Sequence, residues 1–191
     1  MEEKKLRILI LLTSIAVYIS ASSVAVLSAW RKGLMPVFEF GYTVSVYVGL
    51  QRQTAVFYFI CMLIVALLLF ILIIKTGLRI VQKIAFSVSL LFLIGLAWFP
   101  VQFMDPENPA TRGHAFFSNA FFISVIVTLI LFLVFSKKKS VRIYAIAGVL
   151  YGLFFVTAYI FDPSFFRSYI LIWETVFIYL YIFEYPVSFM I

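Results

Sequence analysis

Long apolar runs separated by short polar segments make up most of this chain. Six runs of about 20 residues carry very little charge: 8–29, 55–75, 84–103, 114–136, 142–161 and 164–187. A helix needs about 20 mainly apolar residues to cross a hydrocarbon core about 30 Å thick. Because lipid offers the backbone no hydrogen-bond partners, the pattern predicts an all-α integral membrane protein. We expect a bundle of six transmembrane helices that forms one domain over residues 1–191.

The longest connection lies between the first two runs and has a different pattern. Within it, "YTVSVYVG" (42–49) alternates polar and apolar positions, and "MPVFEFG" (35–41) could supply a partner strand. Alternation with a period of two is typical of a β-strand. One interpretation is therefore a small extracellular hairpin over residues 35–50. The other is an interfacial amphipathic segment that runs into the second helix.

Composition supports a membrane protein. Hydrophobic residues make up 65% of the chain and charged residues only 12%, whereas about a quarter of residues are charged in a typical soluble domain. A net charge of +7 is also found in nucleic-acid-binding proteins, but here the basic residues cluster beside apolar runs, as membrane topology requires. We predict membrane lipids as partners and no nucleic acid. Cys61 is the single cysteine, which excludes an internal disulfide and a thiolate metal cage, and we predict no metal or cofactor.

The distribution of lysine and arginine predicts the orientation. With a cytoplasmic N-terminus, ten basic residues fall on inner segments: Lys4, Lys5, Arg7, Lys75, Arg79, Lys83, Lys137, Lys138, Lys139 and Arg142. Five fall on outer segments: Arg31, Lys32, Arg52, Arg112 and Arg167. Basic residues near span ends favour the cytoplasmic side, so we expect both termini there. The cluster at 137–142 is also expected to contact anionic lipid.

Glu174 is the most informative single residue. It lies eleven residues after Pro163, or about 16 Å along a helix, and so close to mid-bilayer if the sixth helix begins at that proline. A carboxylate at this depth should be protonated, paired or facing a wet cavity. The sequence allows a functional role or a hydrogen bond to a neighbouring helix that serves packing alone.

His114, the single histidine, is predicted to begin the fourth helix. The positive end of the helix dipole favours a neutral imidazole, which could accept a proton or bind a headgroup; it could equally anchor the span at the interface. Asn119 should face protein because its amide needs partners inside the membrane. Asp162 before Pro163 has the pattern of a helix start.

Several charged residues should gather at the outer end of the bundle: Asp105, Arg112, His114, Asp162 and Arg167. Arginine matches phosphate oxygens, so we expect a lipid or lipid-linked anionic headgroup to be bound there by Arg112, Arg167, His114, Asp162 and Asn119. A second hypothesis is an intramembrane enzyme acting on a lipid-linked substrate, with acid and base drawn from His114, Glu174 and Asp105. A third is a small channel or proton-coupled transporter with Glu174 as relay. Solvated loops with capping residues would explain the same pattern without a site.

Gly148 and Gly152 lie four residues apart in the fifth predicted span. Small residues at this spacing permit close approach of helices in lipid. They predict a helix contact, which could serve a homo-oligomer.

Three short motifs carry a resemblance: "VSVYVGL" (44–50), "GLAWFP" (95–100) and "HAFFSNAFF" (114–122). With Asp105, they resemble six-helix bacterial and archaeal membrane proteins of unknown function that are similar to the FRAG/DRAM/SFK group. Eukaryotic members of that group include factors in GPI-anchor lipid remodelling and autophagy. The resemblance implies the six-span fold and the plasma membrane of a prokaryote, and it singles out Ser45, Gly49, Pro100, Asp105 and His114.

Overall fold

The computed structural model describes residues 2–34, 43–99, 108–164 and 170–178, and the regular elements in these ranges are all α-helices. They are α1 (Glu2–Arg31), α2 (Val44–Gly49), α3 (Arg52–Ile74), α4 (Ile80–Trp98), α5 (Pro109–Phe135), α6 (Lys139–Phe161) and α7 (Ile170–Ile178). Among these residues, five helices are long and apolar enough to cross a membrane, namely α1, α3, α4, α5 and α6. The chain therefore has the architecture of a multi-pass membrane protein.

Each of the first five predicted spans overlaps one of these five helices, and residues 100–103 of the third predicted span lie outside the described residues. Of the sixth predicted span, 164–187, the structure describes only its first residue and α7, and the rest lies outside the described residues. The start of α5 differs from the prediction, because the helix begins at Pro109 rather than at His114. Asn108 provides the N-cap: its Oδ1 accepts a hydrogen bond from the Ala110 N–H at 2.9 Å, and proline at the first helical position needs no N–H partner.

The strand prediction for the first connection is wrong over Val44–Gly49, which form α2. Val44, Tyr47 and Val48 are its buried residues, and their spacing of three and four positions matches one face of a helix. The same six residues therefore fit both the strand pattern and the helix pattern, and packing against the bundle favours the helix. Residues 35–42, the proposed partner strand, lie outside the described residues.

Neighbours along the chain pack side by side: α3 on α4, α4 on α5, and α5 on α6, with α1 against α3. The buried stripe of α1 includes Ala21, Ala25 and Ala29, which are fully covered. Small side chains permit this close approach. Large apolar residues such as Leu67, Leu91 and Ile123 remain exposed on the outer surfaces of the bundle. This exposed apolar surface is what a lipid environment would cover.

α4 and α5 interlock through two glycines. A Cβ atom on Gly95 would lie 2.2 Å from the Phe117 ring, and one on Gly113 would lie 2.7 Å from the Phe99 ring. The two rings stack on each other with centroids 5.4 Å apart. Phe117 of α5 thus packs over Gly95 of α4, and Phe99 at the end of α4 packs over Gly113 of α5. This contact aligns the end of α4 with the start of α5.

The buried side of α6 consists of Val141, Ala145, Gly148 and Gly152. The two glycines are thus covered by the chain itself, on a helix that packs on α5. Their burial is what glycines at a helix contact would show. A homo-oligomer through them stays a prediction.

Candidate functional site

The two candidate acid–base residues, His114 and Glu174, line one cavity of about 120 Å³. We call it the His114–Glu174 cavity. Leu96 near the end of α4, Ser118 on α5 and Thr43 before α2 also line it. The other described lining residues are apolar: Phe121, Phe122, Phe155, Phe177 and Ile178. The enzyme hypothesis drew its acid and base from these residues, and the packing of Phe177 of α7 on Phe121 and Phe122 of α5 brings His114 and Glu174 into one cavity.

Glu174 is positioned by aromatic packing. Phe177, one helical turn further along α7, stacks on Phe122 with ring centroids 4.1 Å apart and planes at 13°. Phe122 lies at the middle of α5. Glu174 itself lies nearer the start of α5, because it lines one cavity with His114 and Ser118 and bonds to Val44 at the start of α2. The mid-bilayer depth expected from the sequence stays a prediction.

The Glu174 carboxyl group has a specific backbone partner. Its Oε2 accepts a hydrogen bond from the Val44 N–H at 2.9 Å. Val44 is the first residue of α2, and the first N–H groups of a helix have no partner within the helix. Tyr58, buried on α3, lies close enough to interact electrostatically with Glu174. Glu174 therefore fixes α2 to α7, whatever further role it has.

His114 also binds a helix end. Its Nδ1 lies 2.7 Å from the Phe99 carbonyl oxygen, which can only accept, so Nδ1 carries a proton. The Leu96 carbonyl contacts the same ring. The last carbonyl groups of a helix lack intrahelical partners, and Pro100 has no N–H to offer Leu96. The imidazole thus caps the C-terminus of α4.

The dipole argument made for His114 from the sequence is wrong. The residue lies five positions after the first residue of α5, whereas the effect of the dipole falls off within the first turn. Its hydrogen bonds to α4, which determine which ring nitrogen is protonated, depend on tertiary contact and had no signal in the sequence.

Hydroxyl groups add to the polar wall of the cavity. Ser118 lies one turn after His114 on α5, and both side chains line the cavity. Thr43 and Ser45 share a hydrogen bond of 2.7 Å between their hydroxyl oxygens. The cavity thus combines an imidazole, a carboxyl group and hydroxyls within an aromatic wall, which is a set of groups able to hold or transfer a proton.

Other predicted residues do not join this cavity. Asn119 is exposed on α5, so the expectation that it faces protein is wrong; five residues after His114, its side chain points to another side of the helix. Arg112 and Asp162 are also exposed, and the Asp162 Oδ1 accepts a hydrogen bond from the Ser164 hydroxyl at 2.6 Å. Asp105 and Arg167 lie outside the described residues. The described part of the predicted headgroup cluster is thus spread over the surface.

The structure also contains a larger apolar groove, for which the sequence gave no signal. It has a volume of about 780 Å³ and runs between α3 and α4. We call it the α3–α4 groove, and its walls include Ala55, Val56, Phe59, Ile60, Ala97, Trp98 and Phe99. Phe59 and Trp98 meet edge to face at 4.8 Å. Gly49, Arg52 and Ala110 also line it, and Arg52 is the one charged residue among the lining residues that the structure describes.

Comparison of the chain with protein-family models, curated proteins and solved structures gave no match. The resemblance to the FRAG/DRAM/SFK group therefore stays a prediction. Of the residues it singles out, Gly49 lines the α3–α4 groove and His114 lines the His114–Glu174 cavity. Ser45 belongs to α2, and Pro100 and Asp105 lie outside the described residues.

Proposed function

We propose that this chain is a prokaryotic plasma-membrane protein that binds an anionic lipid or lipid-linked headgroup at its non-cytoplasmic end. The apolar part of the ligand lies in the α3–α4 groove, and its headgroup lies beside Arg52. The observation that carries this proposal is an apolar groove of about 780 Å³ whose described lining residues include a single guanidinium group, that of Arg52.

The chemistry of the groove favours such a ligand. Lipid-binding sites are mainly apolar with a few placed polar groups that fix orientation. Arginine presents a planar set of donors that matches phosphate oxygens. Arg52 begins α3 and is exposed, so it can reach a headgroup while Val56 and Phe59 contact an acyl chain.

Further cations belong to the same end of the bundle. Arg112 follows the groove residue Ala110 on the first turns of α5, and it is exposed. Lys32, at the end of α1, donates a hydrogen bond from Nζ to the Gln51 Oε1 at 2.6 Å, next to Arg52. The positive-inside rule assigns this end to the outside. Arg167 remains part of the proposed headgroup site on the sequence argument alone.

Native mass spectrometry of the purified chain tests the proposal. Added phosphatidylglycerol should remain bound more strongly than phosphatidylcholine. Arg52→Gln should lower the retained anionic lipid about fivefold or more, because a hydrogen bond to a charged group is lost. Val56→Trp should fill the groove and reduce retention of both lipids.

Arg31→Gln is the matched control, because Arg31 is an exposed arginine at the end of α1 and does not line the groove. It should leave the preference unchanged. If both arginine variants lose the same amount of retained anionic lipid, the preference comes from surface charge alone, which would contradict a site at Arg52.

A second candidate function is supported by the meeting of His114 and Glu174 in one cavity. An intramembrane enzyme or a proton-coupled transporter would use these groups for proton transfer. The cavity has a volume of about 120 Å³, enough for a few waters at about 30 Å³ each. Proton flux into liposomes that is lost in Glu174→Gln would support the transporter. If expression of the chain changes the lipid composition of cells and His114→Ala abolishes that change, the result would support the enzyme.

A further inference from the structure

A basic cavity lies at the opposite end of the bundle from the α3–α4 groove. It has a volume of about 550 Å³, within the usual range for small-molecule sites. Four cations among the described residues line it: Arg7 of α1, Arg79 before α4, and Lys137 and Lys138 after α5. We call it the basic pocket, and its remaining walls come from Gly77, Leu78, Gln82, Phe135 and Ser136.

Gln82 provides the feature that distinguishes this pocket from a cluster of surface charges. Its side chain is 2% exposed, and its Oε1 accepts a hydrogen bond from the Arg79 backbone N–H at 3.0 Å. This contact fixes which end of the amide is the donor. Within the part of the chain that the structure describes, the buried Nε2 has no hydrogen-bond partner. An unsatisfied buried donor is costly, and a ligand that accepts a hydrogen bond would remove the cost.

Two of the cations are held in place. The Arg79 guanidinium lies 5.2 Å from the centre of the Phe135 ring, a cation–π contact that leaves its edge available for hydrogen bonds. Arg7 forms a 2.7 Å ion pair from Nη2 to the Glu3 Oε1, and its side chain is 23% exposed. Its Nε is buried and has no partner among the described residues. Little ordering is therefore needed to bind an anion.

We infer that the basic pocket binds a phosphate group, carried by a lipid headgroup or by a free phosphorylated molecule. Gln82 Nε2 donates a hydrogen bond to a phosphate oxygen, and the two arginines and two lysines supply the compensating charge. Glu3 competes with the phosphate for Arg7. By the positive-inside rule this end faces the cytoplasm. The inference does not depend on the proposed outer lipid site, with which it shares no residue.

Gln82→Glu is the sharpest variant. A glutamate keeps the oxygen that accepts from the Arg79 N–H but replaces the free donor by a second acceptor, which repels phosphate. It should weaken binding about tenfold or more, as expected for a lost hydrogen bond to a charged group. Lys137→Gln, at an exposed position, should also weaken binding without affecting the fold, and Glu3→Gln should strengthen it by releasing Arg7.

Arg142→Gln is the matched control, because Arg142 is an exposed cation near the same end that does not line the pocket. The purified full chain in neutral detergent is titrated with inorganic phosphate and, separately, with short-chain phosphatidic acid. The readout is the rise in Tm, with phosphatidylcholine as the uncharged-headgroup reference.

Binding of inorganic phosphate that depends on Gln82 and Lys137 would support a free phosphorylated ligand, and binding of phosphatidic acid alone would support a lipid headgroup. Absence of binding of both probes to the parent chain would overturn the inference. So would equal affinity in the parent, Lys137→Gln and Arg142→Gln. Because Lys137 is exposed, that comparison decides even if Gln82→Glu fails to fold.

Discussion

At the scale of single residues, Glu174 shows how a carboxyl group is accommodated inside the bundle. It bonds to the backbone N–H of Val44, 130 residues earlier in the chain. The sequence left open whether this carboxyl group is protonated, faces a wet cavity or bonds to a neighbouring helix, because an unpaired carboxylate inside a membrane is costly. It could not identify Val44 as the partner, since every residue offers the same N–H group and only the fold brings one of them close.

Two substitutions of Glu174 should differ in stability, because only one of them keeps the hydrogen bond to Val44. Glu174→Gln keeps an oxygen that can accept from Val44 and should leave the Tm in detergent nearly unchanged. Glu174→Leu leaves that N–H without a partner and should reduce the stability of the chain by about 1–3 kcal/mol. Thermal unfolding of both variants measures the difference. Equal stability of the two would show that the Val44 contact contributes nothing.

At the scale of elements, α2 shows the limit of reading short patterns. In six residues, valines at every second position fit a strand, whereas Val44, Tyr47 and Val48 fit a helix. The long helices were predicted correctly because about 20 apolar residues in lipid allow only one solution. For α2 the choice depends on what its buried face touches, and that information is not local.

The interlocked contact between α4 and α5 gives a prediction at this scale. Gly95→Ala puts a methyl group into the Phe117 ring, and such overpacking should cost about 1–3 kcal/mol despite the better helix propensity of alanine. Gly77→Ala is the control, because nothing lies within 4 Å of a Cβ atom there. Tm values in the same detergent compare them. A Gly95→Ala variant as stable as the parent would contradict the close approach of α4 and α5 at this position.

At the scale of the whole molecule, the two ends of the bundle have different chemistry. One end has the basic pocket, and the other has Arg52 beside an apolar groove. The count of basic residues predicted which residues share an end. It did not predict that Arg7, Arg79 and Lys137 surround one cavity with a buried amide, because those residues come from three separate segments.

The predicted outer cluster is the converse case. Arg112 and Asp162 were grouped because each adjoins an outer connection, but a shared end does not imply a shared site. Both are exposed, and Asp162 is bonded to Ser164. The meeting of His114 and Glu174, by contrast, required the packing of Phe177 on Phe122, which no sequence pattern specifies.

Both proposals place the ends of α5 on opposite sides of the membrane, with the basic pocket inside. Labelling of single cysteines with a membrane-impermeant maleimide tests this most directly. Arg112→Cys and Lys137→Cys are each introduced into a Cys61→Ala background, which removes the buried native thiol. We predict that cysteine 112 is labelled in intact cells and cysteine 137 only after permeabilisation. Labelling of both in intact cells, or of cysteine 137 alone, would contradict the account.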